Sequence, residues 1–201
     1  YNPYMVPWTN SLFENAPTYG IGVRMRWDQK GWQGKPLWVI GGDGAMFDIG
    51  FQALSRMFAS GMNIKVFVLD TQVYSNTGGQ ASTASFTGQN TKMSVHGKAV
   101  FGKQERRKEI AQIAMMHPRT YVAQTTAAHV NHFYKSVLGA LEFDGPALVA
   151  CYTTCQPEHG VADNMAGEQA RLAVDTRAFP LMIYDPRAGD TIEKRLSLMG
   201  N

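Results

Sequence analysis

A chain of 201 residues, 44% hydrophobic and 17% charged, is long enough for one sizeable core and has the make-up of an ordinary soluble protein. Nineteen Lys and Arg against sixteen Asp and Glu leave a net charge of +3. The densest cluster, Lys103-Gln-Glu-Arg-Arg-Lys-Glu109, mixes both signs as a solvated helix face does, which argues against nucleic acid as a partner. No apolar run reaches the ~18–20 residues that span a bilayer, so no membrane partner is expected, and no signal-peptide pattern opens the chain. Two cysteines, Cys151 and Cys155, are too few for a disulfide framework and point to the cytoplasm or an organelle matrix. The first residue is Tyr1 rather than Met, so residues 1–201 read as a single domain excerpted from a longer polypeptide.

Pro3 and Pro7 predict an extended arm, and Ser11 to Gln29 a helical region interrupted by Pro17 and Gly20. From Lys35 onward apolar runs alternate with helical patterns. Strands are predicted at Leu37–Ile40, Ile64–Leu69, Tyr121–Ala123, Ala147–Tyr152 and Leu181–Tyr184, with helices near Phe47–Ala59, Glu105–Met115, Val130–Leu141 and Gln169–Ala178. This rhythm predicts an α/β fold, a mostly parallel sheet with helices on both faces. In such folds ligands gather beyond the carboxyl ends of the strands. Three polar segments occupy those places: Gly41–Ala45, Asp70–Asn90 and Thr153–Asn164.

In the first segment a strand runs into Gly42-Asp-Gly44 and a helix leaves it, so glycine lets the backbone turn tightly and amides at the helix start can face a diphosphate. A dinucleotide fingerprint would need glycine where Phe47 stands, and a nucleotide P-loop would need Gly-Lys-Ser/Thr. Thr71 follows Asp43 by 28 positions, the length of one helix and one returning strand, so both can reach neighbouring strand tips. Magnesium is satisfied by a few protein oxygens plus water and phosphate, and Asp43, Thr71 and the Val73 carbonyl supply a carboxylate, a hydroxyl and a carbonyl. Asn76 and Thr77 could donate to phosphate or a substrate carboxylate, while Gly78-Gly79 lets backbone pass close to a ligand. Asp48, in the first turn of the predicted helix, reads as a dipole-complementing cap.

Gly-Asp-Gly with a polar ligand position 28 residues beyond the aspartate is similar to the thiamine diphosphate motif, with Thr71 where Asn is usual. Together with Asp70-Thr-x-Val-Tyr-Ser-Asn-Thr-Gly-Gly-Gln80, Pro7-Trp-Thr-Asn-Ser-Leu-Phe-Glu14, Tyr152–Cys155 and Tyr184-Asp-Pro-Arg187, it resembles the C-terminal thiamine diphosphate domain of the pyruvate:ferredoxin (flavodoxin) oxidoreductases. The resemblance implies Asp43, Thr71 and the Val73 carbonyl on magnesium, Gly42, Gly44 and Ala45 around the diphosphate, and Asn76 as the catalytic residue facing the 2-oxoacid and the thiazolium. It also implies that Cys155 gives one thiolate to a [4Fe–4S] cluster whose other ligands lie elsewhere in the polypeptide. Oxidative decarboxylation of a 2-oxoacid such as pyruvate follows, with acyl transfer to coenzyme A and electrons passing to ferredoxin or flavodoxin. The partners implied are the rest of the same polypeptide, which would supply an activating glutamate and a substrate-binding arginine, and a second copy in a homodimer. A non-oxidative decarboxylase or acetolactate synthase would share Gly-Asp-Gly but leave Cys155 without a reason. A subunit-interface module with a decayed site is disfavoured by the presence of Asp43, Thr71 and Asn76.

Elsewhere the bland readings lead. Cys151 falls inside an apolar run as a small buried hydrophobe. His129 and His132 read as two exposed helix histidines, and Cys155-x-x-x-His159 as half a zinc site whose other half is missing. His96 carries no assigned role. Met46, Met57, Met115 and Met116 read as core filler.

Overall fold

The computed structural model describes residues 5–93 and 101–199. Its centre is a six-stranded sheet: β1 (Trp38–Gly42), β2 (Lys65–Asp70), β3 (Tyr121–Thr126), β4 (Ala147–Tyr152), β5 (Leu181–Tyr184) and β6 (Leu196–Met199), in spatial order β1-β2-β4-β3-β5-β6. The first four run parallel, as expected of strands joined through helices, and β5 and β6 close one side antiparallel. β6 was not predicted: it returns beside β5 after only a short turn that includes α7 (Ile192–Arg195).

Alternate side chains face opposite layers. Val66, Val68, Leu148, Ala150 and Val122 pack beneath α2 (Phe51–Ala59) and α3 (Ile110–Met115). Ala147, Val149, Tyr121 and Ala123 pack with Ala140 and Val137 of α4 (Val130–Glu142) on the other face. β3 and β4 are thus buried on both faces, which explains the unbroken apolar run of β4 and the apolar start, Tyr121–Ala123, of β3.

Several boundaries differ from expectation for physical reasons. Helix α1 (Ala16–Gln29) is continuous: Pro17 falls in its first turn, where the missing N–H is not needed, and Gly20 lies so close to β1 that a Cβ would stand 2.7 Å from Val39. The helix expected over Phe47–Ala59 is split into a π-helical turn, Gly44–Ile49, closed by Gly50 N donating to Ala45 O (2.8 Å), and then α2. The helix expected from Glu105 begins only at Ile110, and the mixed-charge cluster before it is only partly solvated: Gln104, Glu105 and Arg106 are exposed, while Lys103 is buried and Arg107 is enclosed. The last long helix, α6 (Ala166–Asp175), lies three residues earlier than predicted. Met46 and Met57 fill the core, while Met116 is exposed.

At the base of the sheet the Lys65 ammonium lies inside the protein, donating to the carbonyls of Phe143 and Gly145 (2.8 Å to the latter) and so closing the turn that follows α4. Burial pulls its pKa down to about 8.

Candidate functional site

The carboxyl ends of β1, β2 and β4 bring the three predicted polar segments together. Asp43 stands between the end of β1 and the π-helical turn, a form of helix that often marks functional positions. Its side chain makes no cap to that turn. It is 2% exposed and accepts hydrogen bonds from Thr71 Oγ1 (2.9 Å) and Ser82 Oγ. Thr71 Oγ1 also lies 3.1 Å from Val73 O and 3.1 Å from Ser75 Oγ. Asp43, Thr71 and the Val73 carbonyl therefore converge, as the 28-residue spacing requires. Burial, then the charge of Asp70, push the Asp43 carboxyl up to about 6, with the two hydroxyl donors opposing.

Asp70, the last residue of β2, is fully buried and forms an ion pair with Arg107 Nη2 at 2.5 Å. Burial raises its pKa and Arg107 opposes the rise. Among the described residues no ion pair reaches Asp43, so neighbouring buried carboxylates differ: one holds a guanidinium and the other only neutral donors.

Beside Asp43 opens a cleft of about 270 Å³, lined by Gly42, Gly44 and Ala45 and by Tyr74, Asn76 and Thr77, with Phe13 and Ile49 completing its apolar surface. A side chain at Gly44 would run into the Tyr74 ring, 2.6 Å from a Cβ, so this position requires glycine. Asn76 is exposed on the cleft. Thr77 Oγ1 donates to Gln80 Oε1 (2.5 Å), which fastens the loop rather than leaving the hydroxyl aimed outward.

Asp48 is structural, but not as a cap. It lies near the end of the π-helical turn and accepts from Tyr74 Oη (2.5 Å), Thr83 N (3.2 Å) and Thr83 Oγ1, tying the first loop to the second. The Tyr74 hydroxyl is raised in pKa by burial and by Asp48.

Cys155 is half-buried at the start of α5 (Gln156–His159), on the same edge of the sheet. Among the described residues no three His, Cys, Asp or Glu form a metal cluster, and Cys151 is buried, its thiol pushed up to about 11 by burial. Both ring nitrogens of His159 face protein groups other than Cys155. Its Nε2 lies 2.8 Å from Thr71 O and its Nδ1 3.3 Å from Gln89, so it pins the loop that carries Thr71. His132 is not exposed: it is buried with Nδ1 2.9 Å from Thr125 Oγ1, and His129 is half-buried. His96 lies outside the described residues. Sequence reasoning passed over Ser82, read Arg107 only as part of a solvated charge cluster and weighed His159 only as half a zinc site. Only the hydroxyl-rich composition of the second loop signalled the first, and nothing local marked the others.

Comparison with known proteins points to one family. Residues 2–151 match the family described as thiamine pyrophosphate enzyme, C-terminal TPP binding domain. Over 165 residues, 82% of this chain and 14% of the relative, it is 39% identical to a probable pyruvate-flavodoxin oxidoreductase of Escherichia coli. Over 181 residues, 90% of this chain and 54% of the relative, it is 37% identical to the pyruvate synthase subunit PorB of Pyrococcus horikoshii. Its fold is shared with a 2-oxoglutarate:ferredoxin oxidoreductase from Magnetococcus marinus, with a TM-score of 0.61 at 24% identity, over 71% of this chain and 46% of that one. The chain therefore spans about one seventh to about half the length of these proteins.

Proposed function

The chain belongs to the thiamine pyrophosphate enzyme C-terminal TPP-binding family, and from that membership we propose that it forms the magnesium–diphosphate half of the thiamine diphosphate site in a 2-oxoacid oxidoreductase. The observation that carries the proposal is Thr71 Oγ1, bridging Asp43 (2.9 Å) and the Val73 carbonyl (3.1 Å). Three hard oxygens of three kinds stand within hydrogen-bonding reach of one group, and a buried carboxylate among them has no cation partner among the described residues. This donor set fits magnesium, which accepts a few protein oxygens and takes the rest of its shell from water and phosphate.

In this reading Asp43, Thr71 and Val73 hold the ion, and Gly42, Gly44 and Ala45 give the diphosphate a wall without side-chain bulk. Thiamine diphosphate, when bound, supplies the electron sink for decarboxylation. Asn76, exposed on the cleft, orients the reacting acid while Thr77 holds the loop that carries it, and the apolar surface from Phe13 and Ile49 limits water there. Cys155 fits one thiolate of a [4Fe–4S] cluster, since it lies at the strand edge that carries the site. The remaining ligands must come from other parts of the assembly, whether the same polypeptide, a separate subunit or a second copy in a homodimer. The names of the relatives favour pyruvate as the 2-oxoacid and ferredoxin or flavodoxin as the acceptor, with coenzyme A receiving the acyl group.

The test uses the complete enzyme that contains this chain. Magnesium is expected to tighten thiamine diphosphate binding at least about tenfold in equilibrium titration. Pyruvate and coenzyme A are then expected to drive one-electron reduction of ferredoxin or flavodoxin. Release of free aldehyde or acetolactate without acceptor reduction would place the enzyme among non-oxidative thiamine enzymes instead. Cofactor uptake indifferent to magnesium would remove the metal from the site.

A further inference from the structure

The cluster Lys103–Glu109 is the most charged stretch of the sequence, yet two of its cations, Lys103 and Arg107, are spent inside the protein on a single turn. Lys103 Nζ donates to Thr83 O (3.0 Å) and Ser85 O (2.9 Å), Arg107 Nη1 donates to Ala84 O, and the Lys108 amide donates to Thr83 O (2.8 Å). Three successive carbonyls are thus held by one basic segment. The opposite side of the turn carries hydroxyls: Ser82 Oγ donates to Asp43, and Ser85 Oγ donates to Gln72 O (2.5 Å). Within the turn Ser85 Oγ accepts from Ser82 N (2.9 Å) and Ser82 Oγ accepts from Ala84 N (3.2 Å), so the hydroxyl that meets Asp43 is oriented by its own neighbours.

Arg107 adds a second fixed point. Its other amino group pairs with Asp70, the residue just before Thr71, and its guanidinium carbon lies 5.3–5.5 Å from the ring centres of Phe86, Phe179 and Phe47. A planar cation among three rings, forked between a carboxylate and a carbonyl, is a geometry that lysine cannot copy.

We infer that Lys103 and Arg107 form a positioning brace for the metal site, fixing Thr71 through Asp70 and Ser82 through the Thr83–Ser85 carbonyls so that both hydroxyls converge on Asp43. The inference rests on the proposed magnesium–diphosphate reading for its functional consequence and on hydrogen-bond geometry for the brace itself. It assigns no chemistry to either cation: each acts through the turn it holds.

The experiment compares Arg107→Lys, Lys103→Met, Ser82→Ala and the double variant Arg107→Lys/Ser82→Ala in the complete enzyme, with melting temperature recorded for each. In cofactor-free protein, amide hydrogen exchange across residues 82–85 is expected to speed up about tenfold in Arg107→Lys and Lys103→Met. With magnesium present, half-saturation by thiamine diphosphate is expected to rise about tenfold in each single variant, with turnover per bound cofactor falling much less. The double variant is expected to lose less than the product of the two single losses, because part of the action of Arg107 runs through Ser82 and the rest through Asp70 and Thr71. Unchanged exchange at residues 82–85 overturns the brace whatever the cofactor does. Faster exchange with unchanged cofactor affinity, or multiplicative losses in the double variant, reduces Lys103 and Arg107 to general stabilisers and overturns their role at the site. If wild-type enzyme takes up thiamine diphosphate without regard to magnesium, the site reading itself fails, while the exchange measurement still decides the brace.

Discussion

The two ends of strand β2 handle buried charge in opposite ways. At the base, Lys65 is 1% exposed, but its ammonium has two backbone carbonyls to donate to, and these close the end of α4. At the tip, Asp70 has Arg107, while Asp43 beside it has two hydroxyl donors and no ion pair among the described residues. A buried charge that completes a local structure serves stability. One left with neutral donors next to a cleft is costly to the fold and marks a candidate ligand site.

Asp43→Asn breaks the comparison at the tip. The variant keeps the shape and removes the charge, so metal-dependent affinity for thiamine diphosphate is expected to fall about a thousandfold, roughly 4 kcal/mol. The melting temperature of cofactor-free protein should stay level or rise, because an uncompensated buried carboxylate is gone. Titration calorimetry and thermal denaturation of the same preparations check both halves. A large loss of stability together with binding would place Asp43 with Lys65 as an architectural charge.

Lys65→Met is the mirror experiment at the base. It leaves the Phe143 and Gly145 carbonyls without their donor, at a cost of about 2–3 kcal/mol in denaturant unfolding. Cofactor affinity is expected to stay within about twofold, since the change lies at the opposite end of the sheet.

What could be read from the sequence divides along the same line. Gly42-Asp-Gly44, Thr71 and Val73 were legible because two strands and one helix fix their spacing, and register then delivers them to adjacent tips: Gly42 pairs with Leu69, one residue short of Asp70. The alternation of apolar runs and helical patterns likewise sufficed for the parallel core. Lys103 and Arg107 were misread because mixed charge looks solvated until tertiary structure supplies the Thr83–Ser85 carbonyls, Asp70 and three phenylalanine rings drawn from distant parts of the chain. The π-helical turn escaped for a related reason. Its widened bond from Gly50 N to Ala45 O leaves the apolar spacing helical, so periodicity cannot tell it from an ordinary helix. His159 looked like half a zinc site because pairing by sequence ignores the carbonyl of Thr71, which reaches it from another strand.

The smallest effect is in the pH dependence of stability, and it sharpens the contrast without any ligand. Asp43 titrates near 6 in the folded protein against an ordinary 3.8, so the native state binds its proton where the unfolded chain has already lost it. The stabilisation from that proton is complete below the unfolded value and is lost as pH rises through about 6. Cofactor-free protein is therefore expected to lose about 1 kcal/mol of unfolding free energy between pH 5 and pH 7 from this group. The Asp43→Asn variant lacks the titrating group, so its stability profile over the same interval should be flatter by that amount in parallel urea titrations. Identical profiles would mean that Asp43 titrates in the folded protein as it does in the unfolded chain, and the contrast with Lys65 would then rest on hydrogen bonding alone.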